Sequence, residues 1–506
     1  PLYLKFTFMK NITRRRFITN STAGTIGAVA GLSMASGFDA KANSGSKESN
    51  KTFRFSRNIP FGDAYDIIVA GGGPAGSAAS ICAARLGAKV LLVEATGCLG
   101  GMGTSGLVCA FDPMSNGKQM LVGGFMKQLV DSMYKRDFLG PTEIPEVYQK
   151  AYHHWTKFQP EGLKLLLDEF LLEAGVEIRF FTKAVEADVD NRSKKVNGII
   201  IHNIEGFQYI EAKKFIDCTG DAVLADICGV ECREPGRDTP NIMPATLTSL
   251  FTSIDFAKAD PSEHKMLKIA LEEGHFTQYD RHLPGMSKIG NDIGYLNGGH
   301  IFNLDALRCR SLSDGMILGR KIAQEYLKFY KKYVPGCENI EHVTTASLMG
   351  VRESRRIKGE YELNFDDYIG RRHFPDQIGV FNKYVDIHPY NTSKEEYERF
   401  LKEAKETAKL KPGEYFGIPY SILVPEGWKN LWVAGRCASS DVMVQGSIRV
   451  QPAASMMGQA AGTAAAQSIK TGQAANELDT EQLVNTLREN GAYLPQETLS
   501  SQMTRS

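Results

Sequence analysis

The chain has 506 residues, 42% hydrophobic and 23% charged, enough apolar material for a large core or two to three domains. Lysine and arginine total 59 against 58 for aspartate and glutamate; the net charge of +1 sets up no field for polyanions and speaks against a nucleic-acid partner. Nine cysteines form no C-x-x-C pair, and Cys228 and Cys232, though close, lack the companion ligands of a zinc centre, so no metal site is expected.

Near the N-terminus, Met9-Lys10-Asn11-Ile12-Thr13-Arg14-Arg15-Arg16-Phe17 resembles a twin-arginine export signal, with Pro1 to Phe8 upstream of it. A Gly/Ala/Ser-rich stretch from Ser21 to Gly37 follows, and Ala40-Lys41-Ala42 has the small-x-small form that a signal peptidase cuts. The stretch is too short and too weakly apolar to stay in a bilayer. The expectation is therefore periplasmic export of a folded chain, with no integral membrane segment after cleavage. Residues 43–62 are polar and read as a flexible leader.

Folding is expected to begin at Asp66-Ile67-Ile68-Val69-Ala70, an apolar run of strand length that leads directly into Gly71-Gly72-Gly73-Pro74-Ala75-Gly76. A helical run from Ser77 to Leu86 comes next, then a second strand, Lys89 to Val93, closed by Glu94. In this order the glycines have distinct uses. Gly71 permits a tight strand-to-helix turn, Gly73 lets the backbone approach a pyrophosphate, and Gly76 allows helix to pack on strand. The helix N-terminus, which Pro74 opens with its fixed φ and which Ala75 continues, offers N–H donors to the phosphates, both residues being cofactor-binding candidates, and Glu94 can accept from a ribose 2′-hydroxyl. That acid would repel the 2′-phosphate of NADP, which leaves FAD or NAD.

Further along, Leu163 to Ala174 reads as an amphipathic helix, Val176 to Thr182 as a strand, and Val196 to Asn203 with Phe207 to Ala212 as a hairpin around Glu205-Gly206. Between Arg233 and Tyr415 the pattern is mixed and rich in aromatic residues. There His300 follows two glycines and could serve proton transfer, as could His388; for either alone a structural role is the stronger expectation. The run Arg352-Glu353-Ser354-Arg355-Arg356 reads either as a carboxylate grip by Arg352 and Arg355 or as a solvated helix face. His153 and His154 look exposed and are assigned nothing. An Ala/Gly-rich stretch, Ala453 to Ala466, suits a tightly packed helix.

Three later sequences decide between FAD and NAD: Gly100-Gly101-Met102-Gly103-Thr104, Asp217-Cys218-Thr219-Gly220-Asp221, and Leu431-Trp432-Val433-Ala434-Gly435-Arg436. With the first glycine motif they resemble the FAD-dependent oxidoreductases related in fold to glutathione reductase and the succinate dehydrogenase flavoproteins. The resemblance runs from Asp66 to Gln467. It implies an α/β fold: a Rossmann-like FAD-binding domain with a parallel sheet and a small antiparallel insertion, in two parts over 63–232 and 416–475. An inserted mixed α+β substrate or cap domain would occupy 233–415 and a tail or helix 476–506. It also implies cofactor contacts from Gly100, Gly101, Thr219, Gly220, Gly435 and Arg436, although many relatives carry Asp where Arg436 stands. The stretch Gly446-Ser447-Ile448-Arg449-Val450-Gln451-Pro452 resembles the family's last flavin-binding turn, which makes Gly446 and Ile448 cofactor candidates; for an unsaturated-acid substrate, Arg352, Arg355 or Arg449 would be the carboxylate clamp. Cys98, Cys109 and His300 are conceivable covalent flavin anchors.

The expected activity is hydride exchange between a small organic substrate and flavin N5, the protein supplying orientation and electrostatics. A second nucleotide fingerprint and a Cys-x4-Cys redox pair are both missing from the sequence. The electron partner is accordingly expected to be a quinone, a carrier protein or a second substrate rather than a nicotinamide. Two alternatives stand beside this: a fumarate-reductase-like or ketosteroid-dehydrogenase-like enzyme, and a flavin-binding protein without catalysis.

Overall fold

Apolar strands at both ends of the folded chain are brought into one sheet by two helices of small residues. The computed structural model describes residues 53–236, 241–259, 263–406 and 409–495. The export-signal reading of residues 1–42 and the leader up to residue 52 lie outside these residues. In chain order the first elements are β1 (Tyr65–Ala70), α1 (Pro74–Arg85), β2 (Val90–Val93), α2 (Gly124–Lys135), α3 (Pro160–Glu173), β3 (Glu177–Arg179), β4 (Lys183–Asp190), β5 (Lys195–Asn203) and β6 (Gly206–Asp217). The middle contains β7 (Ser249–Thr252), β8 (Ser287–Lys288), β9 (Gly294–Leu296), α4 (Cys309–Tyr333), β10 (Glu341–Thr345), β11 (Gln377–Phe381) and β12 (Phe416–Pro419). The chain then returns through β13 (Leu431–Val433), α5 (Val442–Ile448), α6 (Gln451–Thr471) and α7 (Thr480–Glu489).

The main sheet has seven strands in the order β3-β2-β1-β6-β5-β4, with β13 also on β6. β6 is long enough to serve two partners. Its first residues pair antiparallel with β5, and its last pair parallel with β1 on one side and β13 on the other. β1, β2 and β13 are apolar almost throughout because both faces of this parallel core are covered. A second sheet, β8-β9-β7-β10, is antiparallel. The result is the expected mixed α/β architecture.

α6 is buried along its length from Gln451 to Ser468, as expected of a helix with no polar face. It lies against α1 with backbone in contact. A Cβ on Gly458 would sit 2.0 Å from the Ala75 carbonyl oxygen, and one on Gly462 would sit 2.1 Å from that of Ala79. Only glycine permits this approach.

Several sequence expectations need correction. The strand anticipated over Val176 to Thr182 is confined to Glu177–Arg179, since Phe181 turns into the left-handed region and points outward. The anticipated hairpin is a three-stranded meander whose third member, β4, alternates charged residues with Ala and Val too weakly to be noticed. The Arg352–Arg356 run is no solvated helix face: the segment is not helical, and Arg352 and Arg356 are buried. The stretch from Gly446 contains the end of α5 before α6 begins. Among the described residues no helix is long and apolar enough to cross a membrane.

Replacing Gly462 by Ala tests the helix contact. Helix propensity favours Ala by about 1 kcal/mol, but the methyl group has nowhere to go, and forced separation of packed elements costs about 1–3 kcal/mol or more. The expected outcome is a lower denaturant midpoint; an unchanged or higher one would mean that the helices are not in backbone contact.

Candidate functional site

The strand ends coincide. Ala70 is in register with Val93 and with Asp217, and Asp217 with Val433, so four parallel strands stop at one level. Beyond that level lies the crevice in which open α/β sheets bind ligands. From it emerge Gly71 to Gly76, Glu94, Thr219-Gly220 and Gly435, all anticipated as cofactor contacts. Gly71 adopts φ 95°, and a Cβ there would strike the Cys218 carbonyl at 2.5 Å. The Gly100 N–H donates to the Gly72 carbonyl at 2.9 Å, which lays the second glycine loop over the first, with Gly101 facing Gly73 and Pro74. A Cβ on Gly435 would lie 3.4 Å from that of Ala75 and 4.0 Å from that of Ala454, placing this turn between the starts of α1 and α6.

Neither helix start has a side-chain cap or an acid in its first turn. Both N-termini thus offer unpaired donors and a positive dipole end. Beside Gly73 the space is open, with nothing within 4 Å of a would-be Cβ. Glu94, 8% exposed, accepts from the Gly72 N–H at 2.6 Å and from the Thr96 N–H and hydroxyl at 2.7 and 2.8 Å. A carboxylate has about four lone-pair sites, so one remains for a ribose hydroxyl. These residues fit an adenine dinucleotide: the N–H groups of Gly73, Ala75 and Gly76 for the pyrophosphate, Glu94 for the ribose.

The surroundings of the remaining anticipated contacts are set by the protein's own residues. Asp217 is fully buried and accepts from the Thr219 N–H and hydroxyl and from the Ala225 N–H, fixing the Thr219-Gly220 turn. Arg436, over Gly220, is committed to an ion pair with Asp221. Gly446 packs on the Asp386 backbone and Ile448 is buried in the core, so both shape the wall behind the turn. All nine cysteines are thiols. Cys98 hydrogen-bonds Ser105 at 3.1 Å, and burial pushes the Cys109 thiol up.

A cavity of about 570 Å³ adjoins the start of α6. Arg449, two residues before that helix, lines it together with Arg352, Asp386, His282 and His388, while Tyr152, His153, Trp155 and Tyr384 form an aromatic side. α5 assembles the wall from both directions. Gln445 donates to the Arg352 carbonyl at 2.9 Å and Ser447 to the Lys383 carbonyl at 2.7 Å. The Lys383 ammonium, itself buried, pairs with Asp112 and stands 3.9 Å from the Tyr384 ring centre.

The charges in this wall are unusual. Arg352 donates to the Pro244 carbonyl at 2.6 Å and the Thr246 hydroxyl at 3.0 Å; burial and then the nearby Arg449 bring its pKa down to about 9. Arg449 donates to the Asp386 carbonyl and carboxylate at 2.9 and 3.0 Å. Burial opposes ionisation of Asp386, but His388, Lys383 and Arg449 hold its carboxyl well below the usual range. Burial also lowers the pKa values of His282, to about 4, and of His300 and His388.

Arg352 and Arg449 are therefore brought together as anticipated, whereas Arg355 is outside the cavity, held by Asp226 at 2.9 Å and Glu234 at 3.4 Å. His300 is 2% exposed and sits behind His388, its Nε2 3.0 Å from His388 Nδ1. The sequence reading overlooked His282 and Asp386, and it took His153 and His154 as exposed, whereas both are half-buried and line the cavity. One signal was available, the paired Asp-x-His sequences Asp280-Arg281-His282 and Asp386-Ile387-His388.

The model of the family described as FAD dependent oxidoreductase matches residues 66–487, and the chain belongs to that family. It is thus an FAD-dependent enzyme. No curated protein sequence matches it. Its fold is similar to that of a geranylgeranyl bacteriochlorophyll reductase-like protein from Thermoplasma acidophilum (14% identity, TM-score 0.42, 84% of this chain and 83% of that one). It is also similar to a flavin-dependent brominase (13%, 0.43, 84% and 83%) and to a p-nitrophenol 4-monooxygenase from Pseudomonas putida (12%, 0.41, 84% and 81%).

The open space beside Gly73 yields a test. Its φ of −68° suits any residue, so Gly73→Val is expected to change the unfolding midpoint little while filling the place of the pyrophosphate. FAD affinity, measured by fluorescence titration, should fall at least tenfold, about 1.4 kcal/mol. Unaltered affinity would move the cofactor away from this turn.

Proposed function

We propose that the enzyme exchanges a hydride between FAD and a small organic substrate carrying an anionic group, which Arg352 and Arg449 hold in the 570 Å³ cavity. The observation that carries this reading is the position of those two guanidinium groups. They share one cavity wall next to the start of α6, where the Gly435 turn also lies. FAD, when bound, supplies the hydride-exchanging centre at N5.

The chain's own residues bind and orient. The Arg352 guanidinium donates to a carbonyl and a hydroxyl, both neutral, so an anion entering the cavity would gain a strong, charge-assisted contact and relieve its burial. Arg449, fixed by Asp386, would set the angle of approach. The aromatic side of the cavity would exclude water from the substrate's carbon skeleton. His300 acts at one remove, as a positioning residue. Among the earlier alternatives, reduction or dehydrogenation of an unsaturated acid is the one this wall favours. A single glycine fingerprint, at Gly71 to Gly76, supports a quinone, a carrier protein or a second substrate as the electron partner.

Anaerobic stopped-flow measurements on the FAD-loaded protein test the reading. Members of a panel of small carboxylates should bleach the flavin or reoxidise viologen-reduced flavin, and NADH and NADPH should not reduce it rapidly. Loss of one charge-assisted contact costs about 1.5–3 kcal/mol, so Arg449→Gln should weaken a responsive carboxylate about 10- to 100-fold and its neutral amide far less. Rapid reduction by either nicotinamide, or equal losses for acid and amide, would contradict the proposal.

A further inference from the structure

Three imidazoles with no counterpart in the cofactor site meet at the inner end of the cavity. His282, His300 and His388 each offer a ring nitrogen, and these atoms lie within 4.8 Å of one another. The ring centroids are 4.9, 5.1 and 5.2 Å apart, with the His282 and His300 rings nearly parallel and the His388 ring nearly perpendicular to both. Two nitrogens that share an ion at about 2.0–2.1 Å stand roughly 3.0–3.4 Å apart. His300 Nε2 and His388 Nδ1 are 3.0 Å apart.

Proton positions explain why something should lie at that point. Asp280 accepts the backbone N–H groups of His282 and His300, both at 3.0 Å, and its oxygens stand 3.2–3.3 Å from His300 Nδ1. The carboxylate is served when Nδ1 carries the His300 proton, which leaves Nε2 as a lone pair aimed inward. Asp386 stands 3.7 Å from His388 Nε2, too far for a hydrogen bond, but its charge on that side of the ring favours the proton on Nε2 and a lone pair on His388 Nδ1. With both carboxylates served, two lone pairs face each other at hydrogen-bond distance. A cation between them removes the conflict. Carboxylates behind metal-bound histidines do this in known metal sites, fixing the tautomer and raising ligand basicity.

We infer that His282, His300 and His388 bind a first-row divalent transition-metal ion, with Asp280 and Asp386 as their outer-shell partners. Imidazole ligands suit zinc and its neighbours, and a three-histidine set leaves a coordination position open. Because His282 and His388 line the cavity, that position faces it. An ion there would offer its own charge to an oxygen atom of a substrate held by Arg352 and Arg449. This last point deepens the reading of the cavity as the substrate site and rests on it; ion binding itself does not.

The test uses the FAD-loaded protein, dialysed against a chelator and then titrated with Zn²⁺ by calorimetry, with metal content measured after gel filtration. One Zn²⁺ per chain is expected for the wild type. His282→Ala, on the cavity wall, should weaken binding at least tenfold, and Asp280→Asn about 10- to 100-fold, with flavin content as the check on folding. Wild type that retains no Zn²⁺, or a His282→Ala protein that binds it equally well, overturns the inference. Either result leaves the substrate reading standing, because that reading is judged by flavin bleaching.

Discussion

Everything in the cofactor site depends on two helices touching backbone to backbone. Gly458 and Gly462 let α6 lie directly on Ala75 and Ala79 of α1, so the starts of both helices open on the same crevice. Each N-terminus carries the equivalent of about half a positive charge. One is suited to a pyrophosphate, the other to negative charge accumulating on a reduced flavin. Gly435 lies between Ala75 and Ala454, in contact range of both helix starts. A wider pair would separate the two positive ends and split the site.

The cavity follows from the same arrangement, since Arg449 is carried on the short link between α5 and α6. Its wall is expensive to build. Buried guanidinium and imidazole groups lose hydration that their partners must replace. Asp386 compensates Arg449 and Asp280 compensates His300, but Arg352 donates to a neutral carbonyl and a neutral hydroxyl. Such undercompensated charge is typical of places where a ligand completes the electrostatics. An oxygen-bearing anion would do so here, against a wall already held by Gln445 and Ser447.

Sequence reasoning succeeded where the signal was local. Asp66 to Glu94 spells out strand, turn, helix, strand and acid within one βαβ unit, and the structure places each as expected. The Ala453 to Ala466 helix was equally legible, because small residues without a polar face can only be core. The cavity was not legible in this way. His154, His282, Arg352, Asp386 and Arg449 come from five distant segments, and no periodicity links them. The charged run at Arg352 misled for a related reason: composition gives solvation as the default, and only tertiary partners such as Pro244 and Ser440 show that these arginines are inside. Arg436 was recognised as a departure from its relatives, but its partner Asp221 could not be read from the pattern.

The central claim, that the paired helix starts form a dinucleotide cradle, is tested most directly by the visible absorption spectrum of folded, purified protein before and after addition of FAD. A flavin spectrum at one equivalent per chain, perturbed from that of free FAD, is the predicted result. Folded protein that is colourless and leaves added FAD unperturbed and unretained would contradict it.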